Sequence, residues 1–91
     1  MTEELVRRAR QGDTEAFEAL LTAHEKRVYG MALRMTGNRE DAADVTQEVF
    51  LTVWRTLPSF RGESRFSSWL YRLTANACID HLRREKRRRW R

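Results

Sequence analysis

Between Ser59 and Trp69 the chain reads Ser-Phe-Arg-Gly-Glu-Ser-Arg-Phe-Ser-Ser-Trp, a short run rich in aromatic rings and arginine. Positive charge beside exposable rings is what a single-stranded nucleic acid site needs, since phosphates want guanidinium groups and bases want faces to stack on. Within the run, Gly62 allows close backbone approach. Ser59, Glu63 and Ser64 offer hydrogen-bonding groups, and Arg61 and Arg65 add charge. Phe60 offers either a stacking face or a packed wall. A loop of this chemistry can line a pocket for one extruded base. After it, Arg65, Arg72, Asn76, Ile79 and Arg83 recur at spacings of three, four and seven, off the apolar face of a helix. Arginine contacts phosphate or stacks on a base, and asparagine carries both a donor and an acceptor for a base edge. The plainer reading of such spacing is a solvated face.

A second constellation lies upstream. Asp44, Glu48 and Leu51 fall at i, i+4 and i+7 and share one helical face, with Gln47 and Arg55 beside them. On spacing alone this too is a solvated charged face. Leu51 argues otherwise, because it is a large apolar residue in the middle of polar ones. An acidic rim around an apolar anchor suits docking on a basic partner helix.

The charge distribution points the same way. The formal net charge of the 91 residues is +5. Asp80 to Arg91 holds seven Lys/Arg against two acids, which accounts for the whole excess. A basic end on a neutral body is a local footprint for a polyanion. A membrane surface would also accept a basic tail, but no apolar run approaches the roughly 20 residues that span a bilayer, and no signal peptide opens the chain.

Catalysis finds little support. His24 and His81 are far apart, and His24 falls on an apolar stripe. No paired carboxylates face a predicted cleft, no Gly-rich phosphate loop exists, and no Cys/His cluster has metal spacing. A non-enzymatic protein without cofactor is expected. The single cysteine, Cys78, excludes an internal disulfide, reads as a packed small residue, and makes the cytoplasm the default location.

The elements that must hold these residues read as all-α: one domain, a compact helical bundle of about four helices. Leu5, Val6 and Ala9 mark a short first helix that stops at Gln11-Gly12. Asp13 or Thr14 caps a second helix, with Phe17, Leu20, Leu21, His24, Val28, Met31, Ala32 and Met35 at a 3.6-residue period. Gly30 interrupts that pattern and is expected to permit close helix packing. Gly37-Asn38 ends it, and Asn38 can cap a third helix. The third helix carries Ala42, Val45, Val49, Phe50, Val53, Trp54 and Leu57 inward, and Pro58 stops it. The fourth starts near Ser64 or Ser67, carries Phe66, Trp69, Leu70, Leu73, Ala77 and Leu82 inward, and runs into the basic tail.

Three stretches in order, Asp41 to Arg55, Phe60 to Phe66 and Trp69 to Asn76, resemble conserved region 2 of the extracytoplasmic-function (ECF) sigma factors of bacterial RNA polymerase. Gly12-Asp13 followed by Glu15-Ala16-Phe17 is similar to that family's start. The resemblance implies that Asp44, Gln47, Glu48, Leu51 and Arg55 bind the clamp helices of the largest subunit of core RNA polymerase. It implies that the loop Ser59, Phe60, Arg61, Gly62, Glu63 and Ser64 captures a flipped base of the promoter −10 element from the non-template strand. Arg65, Arg72, Asn76 and Arg83 are then the contacts of the following helix, and an anti-sigma factor is an expected further partner. Housekeeping sigma factors pair two aromatics in the melting segment. Here Trp69 is followed by Leu70, so Trp69 reads as core or a partial wedge. Residues 1–91 are expected to be one region 2 domain, excised from a protein whose helix-turn-helix domain for the −35 element is absent from this chain. Two rival readings remain at this point: a duplex-binding regulator, and a protein-interaction module that does not touch DNA.

Overall fold

Local chemistry sets the helix ends. The computed structural model of the chain describes residues 2–89, with side chains to residue 88. Helix α1 is Thr2–Arg10, α2 is Thr14–Thr36, α3 is Arg39–Thr56 and α4 is Phe66–Arg89. Asp13 caps α2, its side chain accepting from the Ala16 N–H at 3.1 Å. Asn38 does the same for α3, accepting from the Asp41 N–H at 3.0 Å. Each cap satisfies one of the backbone donors that a helix start leaves open. Gly37 ends α2 at φ 70°, a left-handed conformation that costs glycine little. Pro58 does not stop the chain dead. It sits in a single 3-10 turn, Leu57–Ser59, that bends the backbone out of α3.

α2 is the central helix, packed against α1, α3 and α4, and α3 also packs against α4. The core is built from Val6 and Ala9 of α1, Ala16, Leu20, Val28 and Ala32 of α2, Val45, Val49 and Val53 of α3, and Phe66, Leu70 and Cys78 of α4. Thr74 is fully buried among them, its hydroxyl donating to the Leu70 carbonyl at 2.9 Å. Phe66, Leu70, Thr74 and Cys78 thus form one i, i+4 row. Burial pushes the Cys78 thiol above its ordinary range, because low polarity disfavours the thiolate.

Three expectations need correction. Trp54 is 43% exposed. It follows Val53 by 100° around the helix, so it lies on the rim, edge-to-face with Phe17 at 4.8 Å. Leu82 is 41% exposed. The inward row of α4 passes instead through His81 and Glu85, both partly buried. Gly30 makes no close packing, since a Cβ there would meet nothing within 4 Å. The side chain of Arg89, and Trp90 and Arg91, lie outside the described residues.

Candidate functional site

The loop between α3 and α4 is held at both ends. The Phe60 N–H donates to the Leu57 carbonyl at 3.0 Å, and the Ser59 hydroxyl to the Thr56 carbonyl at 3.0 Å. Arg72 reaches back from α4 and donates to the Ser64 hydroxyl at 3.1 Å. Gly62 turns the loop at φ 75°. Phe60 is the packed wall: it is partly buried, with its ring 4.8 Å from Trp69 and 6.3 Å from Phe66. Trp69 lies in the same cluster, 5.8 Å from Phe66. Three hydrogen bonds and three aromatic contacts leave the polar loop groups Arg61 and Glu63 exposed on a fixed frame.

Behind the loop opens a cavity of about 770 Å³. Phe60, Gly62, Ser64, Arg65 and Phe66 form one wall. Arg7 and Arg10 of α1 and His24 and Arg27 of α2 form the other. None of these α1 and α2 residues stood out in the sequence. They are scattered over the first 27 positions, and only the packing of α1 and α4 on α2 brings them to the loop.

Asn76 is not in that cavity. It lies with Arg83 in a separate groove of about 940 Å³ between α3 and α4. Glu48, Thr52 and Arg55 come from the α3 side, and Leu73, Ala77, Asp80, Arg84, Lys86 and Arg87 complete the lining from α4. The sequence-derived residues therefore divide into two neighbouring sites, joined on the α4 surface by Arg72, one turn before Asn76. Arg55 faces the basic groove as well as closing the α3 row.

The acidic row of α3 is open. Asp44, Gln47, Glu48 and Arg55 are exposed, and Leu51 is 59% exposed. Leu51 forms a ridge between two hollows. On one side, Asp44, Gln47 and Glu48 meet His81, Arg84 and Arg88 of α4. Arg84 pairs with Glu48 at 3.3 Å; an exposed pair of this kind contributes little, about 0–1 kcal/mol, and yields readily to a partner's charges. His81 is more enclosed, its Nε2 3.4 Å from the Asp41 carboxylate without a hydrogen bond among the described residues. On the other side, Phe17, Leu21, Tyr29 and Phe50 line an apolar groove of about 750 Å³.

The aromatic loop, the basic groove and the acidic row of α3 thus share one four-helix bundle. Residues 20–88 match the sigma-70 region 2 family, and the chain belongs to it. Among curated proteins, the ECF RNA polymerase sigma-E factor of Haemophilus influenzae is 42% identical over 84 residues, 92% of this chain and 44% of that protein. The RNA polymerase sigma-H factor of Pseudomonas aeruginosa is 38% identical over 80 residues, 88% of this chain and 42% of that protein. SigW, an ECF RNA polymerase sigma factor of Bacillus subtilis, is 33% identical over 86 residues, 94% of this chain and 46% of that protein. The chain spans less than half the length of these relatives. An NMR structure of an engineered region 2 of sigmaE, in complex with GTAAAA, superposes with a TM-score of 0.91 at 34% identity, covering 97% of this chain and 92% of that one. No helix among the described residues is long and apolar enough to cross a membrane, and they contain no His/Cys/Asp/Glu cluster able to hold a metal ion.

Proposed function

We propose that this chain is the promoter-opening part of an ECF sigma factor. Residues 1–91 form one region 2 unit, which docks on core RNA polymerase and holds the −10 element as single-stranded DNA. The observation that carries the reading is the anchored loop beside an arginine-lined cavity, in a fold shared with a region 2 whose complex holds GTAAAA. Ser59 to Ser64 form the rim over the captured base of the non-template strand. Arg65, Arg72, Asn76 and Arg83 guide the rest of the strand along α4. Asp44, Gln47, Glu48, Leu51 and Arg55 take the clamp helices of the largest polymerase subunit, with Leu51 as the apolar anchor.

The mechanism needs no covalent chemistry and no enzyme activity. Extruding a base costs a few kcal/mol, and stacking returns about 1–3 kcal/mol per base. Binding only the open form therefore shifts the duplex toward melting. The protein acts in the cytoplasm with polymerase, and an anti-sigma factor is its expected regulator. The test is a gel-shift assay with the chain, core polymerase and two promoter fragments. A ternary complex should form on a fragment with a premelted −10 bubble and much less on the closed duplex. Equal complex on both fragments, or none with core polymerase, would contradict the assignment.

A further inference from the structure

The cavity behind the loop is lined by one nearly buried histidine. His24 is 8% exposed, and its ring lines the cavity. Its Nδ1 lies 3.0 Å from the Leu20 carbonyl oxygen. A carbonyl only accepts, so Nδ1 carries the hydrogen and the neutral ring keeps its lone pair on Nε2. Nε2 has no hydrogen-bond partner among the described residues. The Leu20 bond and Phe66, edge-to-face at 5.3 Å, fix the ring. Nε2 is not among the sealed polar atoms of the fold, so it stays open to a donor entering the cavity.

The rest of the cavity suits one nucleotide. Phe60 and Phe66 provide apolar walls, and Arg10, Arg27 and Arg65 provide cations for a phosphate; Glu3 also lines the cavity, and Arg7 is paired with Glu4. The volume of about 770 Å³ lies within the range of small-molecule sites. Adenine and cytosine present an exocyclic amine where guanine and thymine present a carbonyl oxygen. A fixed acceptor tells these apart. It bonds the amine and opposes the oxygen.

We propose that His24 is a specificity-determining residue, whose Nε2 accepts a hydrogen bond from the exocyclic amine of the captured base. The cavity thereby favours adenine over guanine and cytosine over thymine. This inference rests on the base-capture reading above.

The experiment uses fluorescence anisotropy of this chain with six-nucleotide single strands based on GTAAAA, each position in turn carrying A, G, C or T. At pH 8 one position should prefer A over G and C over T by about tenfold. His24→Phe keeps a ring against Phe66 but removes Nε2, and should show ratios within about twofold. A His24→Phe ratio equal to wild type overturns the proposal. So does wild-type single-strand binding with no amino-base preference, a measurement that needs no variant and leaves base capture itself standing. Tighter binding of duplex than of either strand removes base capture, and the proposal with it.

Discussion

Leu51→Ala separates docking from folding more cleanly than any other change on α3. Full burial of a leucine side chain is worth about 1.5–3 kcal/mol. Leu51 is 59% exposed, so folding has used less than half of that and docking has the remainder. The variant should then weaken binding to core polymerase by about 1–2 kcal/mol, which is about 5- to 30-fold. Its cost to folding should be about 1 kcal/mol or less. Val49 is the control. It lies half a turn away and is 1% exposed, so Val49→Ala should lose about 1–3 kcal/mol of stability through the cavity it leaves. Below its melting temperature that variant should keep polymerase affinity within about twofold, since Val49 has almost no surface to offer. Thermal unfolding by circular dichroism gives the first quantity, and titration of labelled chain with core polymerase gives the second. The reasoning is refuted if Leu51→Ala binds like wild type, or if its affinity falls only in proportion to unfolded protein.

Other consequences can be checked together. Reversing charge at Asp44 and Glu48 should weaken polymerase binding in a pull-down while leaving the helical signal unchanged, because exposed charges tolerate substitution and interface rims do not. Arg87→Gln with Arg88→Gln should lower affinity for all DNA sequences alike and flatten its salt dependence, a phosphate-contact signature; a loss confined to one sequence would contradict it. Gly30→Ala should stabilise the fold by about 0.5–1 kcal/mol, raising Tm by a few degrees, since a helical position gains a Cβ that meets nothing. The N–H of Ala16 first, and then Arg8, hold the Asp13 carboxyl below the usual carboxylate range. A depressed folded pKa contributes stability that is present above the unfolded value of about 3.9 and lost as pH falls through the lower folded value. Asp13→Ala should therefore lower Tm at pH 7 and narrow its gap to wild type in acid; a gap that stays constant to pH 2 would count against the cap.

What could be read from the chain was local. Asp13, Asn38 and Gly37 announce helix ends because their side chains, or the lack of one, act on backbone within four residues. The Phe60–Ser64 loop and the acidic row were legible for the same reason, since each is one continuous stretch or one helical face. Periodicity failed at the borders of faces. Trp54 and Leu82 sit at stripe edges, where a neighbouring helix decides burial. Thr74 was missed because a hydroxyl bonded to its own helix is buried as readily as an apolar group. The α1–α2 side of the cavity was invisible for a stronger reason. Arg7, Arg10, His24 and Arg27 have no spacing in common with the loop, and only packing of α1 and α4 on α2 joins them. The division of Asn76 from the loop cavity is likewise a matter of where α3 crosses α4.

The central claim is that the loop side of this bundle holds unpaired DNA. Its most direct test is anisotropy of this chain with three labelled probes of one −10-like sequence: the non-template strand, the template strand and their duplex. Binding should be tightest to the non-template strand and weakest to the duplex, with the order preserved as salt rises. Binding of the duplex as tight as, or tighter than, either single strand would contradict it.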